Sequence, residues 1–397
     1  MFINDELFFP FGIYTVTTNE RELMLINQTH LNMIKSYSTN KKIMDMIYSA
    51  KQGNIKIIYG FNVSYISNSL ISDLEKEEYF KNNIIDKVNG FKDHPGLLAW
   101  YINDEQPYYF NKYFRNITLS IHELDPNHPT YTVIMPYGEM PLLLNTTDIM
   151  GVDCYPIGKH PIREVNLLMG KESERPLGKP NIPAIQIFDW SISNETTSGK
   201  PEPPTLQEMR SMSWQSLVLG AKGLMFYCLK EIIQMDEITP IEDRWKDIIE
   251  FTDEIWKYKD VILSIDKVNK IEYIQNNNVS FRQWKYNKSN YIAIVNLERE
   301  KEIFKINLLD KYNIYKEFGL GNFKKNGTEI IFNLEPIDVI MIKYTKNSSK
   351  SNILLIIFFI IIIIIIFIVA IFFLLKTLKN KYRTKIFVDS VAKLMND

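Results

Sequence analysis

Along about the first 230 positions, short apolar runs rich in β-branched and aromatic residues alternate with longer stretches whose apolar residues recur at helical spacing. That alternation predicts βα units around a parallel sheet. Phe8–Val16 reads as a first strand, followed by a helix carrying Leu23, Leu25 and Ile26. Leu31–Tyr37 is a second strand and Ile43–Ala50 a helix; Gly53 turns the chain into a third strand, Ile55–Phe61. Tyr79–Phe91 is helical and Leu97–Ile102 is the fourth strand. Thr130–Met135, Asp148–Val152, Ile182–Phe188 and Gly223–Leu229 bring the count to eight. The helix before the last strand is the best marked. Pro203 and Pro204 break the chain, Thr205 and Glu208 form a T-x-x-E capping box, and Gly220 stops the helix. Eight strands over this length suit a (β/α)8 TIM barrel. A doubly wound sheet would show a Gly-rich phosphate turn after its first strand, and none is present.

Past a helical stretch at Ile241–Tyr258 the pattern switches to period two, at Lys270–Ile274, Val279–Lys285, Tyr291–Asn296, Glu302–Ile306, Glu329–Phe332 and Val339–Tyr344. Turns rich in Asn, Lys and Gly separate these runs, predicting a small antiparallel β-sandwich-like domain. The expected organisation is a barrel over 1–259, the β-domain over 260–345, a linker at 346–352, a membrane span at 353–375 and a basic tail at 376–397.

The span is the plainest signal. Ile353–Leu375 holds 23 residues without a charge or polar side chain, and about 20 apolar residues cross a bilayer as a helix. Its partner is therefore a lipid bilayer. The tail carries six basic and two acidic residues, hence +4, which leaves −5 of the overall −1 for everything before it. The positive-inside bias places that tail in the cytosol and the large domain outside or in a lumen. Asn-x-Ser/Thr triplets at Asn27, Asn62, Asn116, Asn145, Asn194, Asn278, Asn287, Asn326 and Asn347 all precede the span, which supports the same orientation. The opening MFINDELFFPFGIY has neither a charged n-region nor an apolar h-region. A leader upstream of this start is expected; without one, the span would insert tail-first and leave the large domain in the cytosol.

Composition narrows the chemistry. With 46 basic against 47 acidic residues there is no basic field to attract nucleic acid. Cys154 and Cys228 fit no zinc spacing and are expected as buried thiols. The five histidines are scattered, and His94 and His128 precede prolines, so no metal and no cofactor are expected. Trp100 and Trp214 read as core.

In a barrel, functional groups gather at the C-terminal strand ends. The fourth strand ends in Asn103-Asp104-Glu105-Gln106-Pro107, and the sixth in Asp153-Cys154-Tyr155-Pro156. The seventh ends with Gln186, Asp189 and Trp190, and the eighth with Tyr227 followed by Glu231. Carboxylates supply acid and base, amides bind hydroxyls, and rings stack on pyranose faces, so the set suits an oligo- or polysaccharide. The competing reading is that Asp104 and Glu105 cap the next helix and that Trp190 anchors its loop.

FFPFGIY at the first strand, HPGLLAWYINDEQP at the fourth, DIMGVDCYP at the sixth and PPTLQEMRSMSWQSLVLGAKGLMFY into the eighth resemble glycoside hydrolases of clan A, especially the β-galactosidase-like and family 2-like barrels. The likeness covers roughly residues 8–230 in the correct order. It implies Glu105 as general acid/base, although the usual Asn-Glu pair is altered here by the intervening Asp104. The nucleophile implied at the end of the seventh strand falls on Phe188, leaving Asp189 and Asp153 as candidates, with Glu231 another carboxylate nearby. Asn103, Asp104, Tyr155, Gln186, Trp190 and Tyr227 are the expected sugar-binding residues. The resulting expectation is a membrane-anchored glycosidase or transglycosidase. The alternative is an inactive barrel that binds carbohydrate at the cell surface.

Overall fold

The computed structural model describes residues 2–394 except 4, 16–17, 38–39, 62–70, 136–139, 174–178, 191–202, 235–239 and 347–349. The triplets starting at Asn62, Asn194 and Asn347, and part of the linker expected at 346–352, lie outside these residues. The described residues divide into two compact units, Met1–Thr345 and Lys346–Asp397.

In the first unit eight parallel strands close into a barrel: β1 (Phe11–Thr15), β2 (Met33–Ser36), β3 (Lys56–Gly60), β4 (Leu97–Asp104), β5 (Thr130–Ile134), β6 (Ile149–Cys154), β7 (Ala184–Gln186) and β8 (Leu224–Tyr227). Each pairs with the next, and β8 pairs with β1. All eight fall on the runs expected from the sequence. Both strand faces are buried, so alternation sorts residues between two apolar regions rather than between core and water. Phe11, Ile13, Ile34, Trp100, Ile102 and Phe226 face the helices. Tyr14, Met33, Tyr101, Tyr131, Val133 and Met225 fill the interior. Gly12 faces that interior: a Cβ there would lie 2.6 Å from Met225 Sδ and 2.7 Å from the Met33 carbonyl.

The helix Leu206–Val218 begins with the expected capping box, Thr205 Oγ1 accepting from the Glu208 N–H and Glu208 Oε2 from the Thr205 N–H. It ends against Gly220, whose φ of +105° suits glycine. Through this helix the barrel joins the β-domain. Glu208 pairs with Arg299, Gln207 Nε2 donates to the Pro336 carbonyl at 2.7 Å, and fully buried Trp214 meets Trp284, Tyr258 and Phe318. Its indole N–H donates to Glu254 at 3.2 Å. Truncating this side chain opens a cavity at the junction. Trp214→Ala should therefore lose about 3–5 kcal/mol in urea unfolding.

The β-domain comprises β9 (Glu272–Tyr273), β10 (Val279–Tyr286), β11 (Ser289–Asn296), β12 (Glu302–Asn307), β13 (Tyr312–Phe318), β14 (Asn322–Asn326), β15 (Glu329–Leu334) and β16 (Val339–Lys346). They form two four-stranded sheets, ordered β9-β12-β15-β14 and β10-β11-β16-β13. Strands β13 and β14 were not expected from the sequence.

The second unit contains one helix, Lys350–Leu394. Its candidate span Ile357–Arg383 is 27 residues long, and an 18-residue window within it reaches a mean hydropathy of 3.8 with none of that window buried inside the protein.

Candidate active site

The carboxylates at the end of β4 owe their direction to a bulge. Along β4, Tyr101 points into the barrel and Ile102 out; plain alternation would turn Asn103 in and Asp104 out. The register against β5 slips between Tyr101 and Asn103, pairing Tyr101 with Tyr131, Asn103 with Thr132 and Asp104 with Val133. Tyr131 and Val133 face inward, so the slip carries Asp104 into the mouth and Asn103 away from it. Asp104 Oδ1 accepts from the Tyr101 hydroxyl at 2.7 Å. Asn103 is fully buried, and its Oδ1 accepts from the Gln106 N–H at 3.0 Å, bracing the loop instead of lining the mouth.

Glu105 follows in the left-handed region, φ +55°, with its N–H donating to the Val133 carbonyl at 3.0 Å. A non-glycine residue there is strained, and such strain concentrates at functional sites. Neither carboxylate caps a helix: Tyr108–Phe110 and Asn111–Leu124 both start without a side-chain cap.

Across the mouth, Asp153 on β6 is 8 % exposed. Its carboxyl is hydrogen-bonded to that of Glu105. Burial first, then that hydrogen bond and the charges of Glu105 and Asp104, hold Asp153 well above the usual carboxylate range. Burial and the two acidic neighbours favour its protonated form, the arrangement by which carboxyl dyads share a proton. Tyr14, Tyr101, Tyr131 and Tyr227 all feel the charges of Asp104 and Asp153, which places that pair at the centre of the mouth.

An aromatic wall faces these acids. Tyr155 lies 5.5 Å from Tyr227 and 5.2 Å from Phe188, and Tyr227 lies 5.5 Å from Tyr14. Phe188 thus turns toward the wall, and alternation turns Asp189 away. Asp189 is 2 % exposed and follows β7 by three residues. Gln186 is buried and spent on backbone: it accepts from the Ile157 N–H at 2.8 Å and donates to the Ile157 and Phe188 carbonyls. Trp190 donates to the Tyr155 carbonyl at 3.2 Å and carries Lys159 Nζ 3.3 Å from its ring centroid, so one face is already covered. Glu231, after β8, is half-buried, and burial raises its pKa. Cys154 and Cys228 are buried free thiols.

The structure therefore brings together Asp104, Glu105, Asp153, Tyr155 and Tyr227. It places Asn103, Gln186 and Trp190 in loop-bracing contacts, and Asp189 is buried just past the end of β7. It also adds Lys35, Tyr14, Tyr37 and Tyr101, which the sequence reading did not select. Lys35 had a signal: it falls one inward step after Met33 in β2. At the opposite end of the barrel a cavity of about 880 Å³ is lined by Pro10, Pro129, Ile149 and Ile182. Of the acids on its lining, Asp148 is engaged by Thr130 and His122 and Asp260 by Lys259, with Asp266 a third.

No protein-family profile and no curated protein matches the sequence. Solved structures do match the fold. A glycoside hydrolase family 5 protein from Bacteroides vulgatus aligns over 86% of this chain and 90% of its own, at TM-score 0.57 and 15% identity. A family 27 β-L-arabinopyranosidase from Geobacillus stearothermophilus aligns over 86% and 98%, at TM-score 0.55 and 9% identity. Amy13B from Eubacterium rectale aligns over 85% and 95%, at TM-score 0.51 and 10% identity. At such identities the likeness is one of fold, and the chain carries a barrel of the kind found in glycoside hydrolases.

Proposed function

We propose that the chain acts on glycosidic bonds, with Asp153 as general acid and Asp104 as its ionised partner. The observation that carries this reading is the buried Asp153 carboxyl, hydrogen-bonded to Glu105 and facing the inward-turned Asp104. Asp153 would protonate the leaving glycosidic oxygen. Asp104, held by the Tyr101 hydroxyl, would support positive charge developing at the anomeric carbon, either by attacking it or by activating water. Glu105 becomes the group that keeps the proton on Asp153, a shift from the acid/base role implied by resemblance. Tyr155 and Tyr227 offer rings to a sugar. The β-galactosidase-like and family 2-like motifs support the same class.

The test is a panel of aryl glycosides with variants in the mouth. Asp104→Asn should lower kcat/KM at least about 10²-fold. Glu105→Gln removes a negative neighbour, so the pKa of Asp153 falls and the basic limb of the pH–rate profile moves to lower pH. Turnover untouched by Asp104→Asn would sink the assignment. Sugar binding without turnover would favour a non-catalytic carbohydrate receptor. The 357–383 helix supports a single-pass membrane anchor, which in our reading holds the barrel on the extracellular or luminal side with residues 376–397 in the cytosol.

A further inference from the structure

One basic group in the mouth has no part in the chemistry above. Lys35 points inward from β2, is 2 % exposed, and lies among rings: Nζ is 3.1 Å from the centroid of Tyr37, 4.6 Å from Tyr101 and 5.7 Å from Tyr14. Among the described residues its amine makes no hydrogen bond and no ion pair. Asp104 and Asp153 act on it only at longer range, and Asp104 Oδ1 is taken by Tyr101. Gly60 on β3 keeps one flank open, since a Cβ there would sit 3.3 Å from Lys35 Cε and 3.5 Å from Nζ. Aromatic faces attract a cation but accept no conventional hydrogen bond, so a buried ammonium held by rings alone is incompletely compensated. An oxyanion is the group that would complete it.

We propose that Lys35 receives an anionic substituent of the glycan, a uronate carboxylate or a sulfate ester, so that the mouth selects acidic over neutral sugars. This rests on the glycan reading above and names its substrate class. Burial raises the pKa of Asp153, which favours its neutral form and limits the negative charge that an incoming anion meets. Burial brings the free amine to about 7, with Asp104 and Asp153 opposing the shift. A bound anion restores the ammonium, so binding takes up a proton. Affinity for an acidic sugar should be level below pH 7 and fall about tenfold per unit above it, until the pKa of the bound amine is reached. The other groups facing the amine are Tyr14, Tyr37 and Tyr101, all raised and neutral, and the carboxyls Asp104 and Asp153. A Lys35→Met control isolates the lysine from them.

The experiment is calorimetry on the detergent-solubilised full chain. The probes are methyl β-D-glucoside, methyl β-D-glucuronide, the glucoside 6-sulfate, and the galacto-configured counterparts. An acidic member should bind at least about 30-fold more tightly than its neutral parent, and the uronate and sulfate arms distinguish the two anions. Lys35→Met and Lys35→Gln should erase the preference while Lys35→Arg keeps part of it. Replacing a buried charge by an apolar side chain is commonly neutral or stabilising, and thermal melting checks that the variants fold. Equal affinity for acidic and neutral sugars, or a preference that survives in Lys35→Met, overturns the inference alone. If no probe binds, the glycan reading fails and the inference with it.

Discussion

Asp153→Asn should cut kcat/KM by about 10²–10⁴-fold, the range that a positioned general acid supplies. It should not unfold the protein. Asp153 is buried and its pKa is raised, which favours the neutral carboxyl, and Asn keeps that shape without a charge. The linkage has a definite sign. A carboxyl whose folded pKa is raised makes its full contribution to stability below the unfolded value of about 3.9, and that contribution is lost as pH rises through the folded pKa. Relative to wild type, Asp153→Asn should gain stability with rising pH across that window, and the difference should level off in acid. Thermal melting from pH 3 to 8 beside steady-state kinetics separates the two effects. Loss of activity together with loss of melting temperature at neutral pH would mean that Asp153 serves the fold.

The other large effect concerns the apolar helix. Removing residues 346–397 should move the protein completely from the membrane pellet to the supernatant, because the helix forms a unit apart from Met1–Thr345. Arginines at Ile363 and Ile366 should weaken insertion by about 2.5–3.5 kcal/mol each at the centre of a span. Carbonate extraction of both variants checks this. Retention of the truncated chain would show that another surface holds it to membranes. Asn27, Asn116, Asn145, Asn287 and Asn326 are exposed, so a luminal or extracellular barrel should lose mass on endoglycosidase treatment.

Much of the architecture was readable from the pattern alone because its signals are local. Strand runs, the Thr205–Glu208 box and the stop at Gly220 each depend on a few adjacent residues, and each was found in place. The strands that escaped, Tyr312–Phe318 and Asn322–Asn326, have largely exposed or half-exposed side chains and lie at sheet edges. Edge strands need little apolar alternation, so the periodic signal is weak there.

Within the site, residue type was legible and direction was not. Acidic and aromatic residues at the ends of β4, β6, β7 and β8 could be selected because barrel topology sends those ends to one mouth. Which of them face it depends on details that no window of sequence contains. Asp104 turns inward because β4 slips one residue against β5. Gln186 is spent on the Ile157 backbone 29 residues away. Lys35 becomes a mouth residue because Tyr14 and Tyr101, far from it in sequence, close around its amine. The sequence by itself determined the eight strands of the barrel, the apolar helix and the chemistry available at the strand ends, through periodicity and length. Only the tertiary structure decided which carboxyls meet, since hydrogen bonding and charge coupling act through distances set by strands that are remote in the chain.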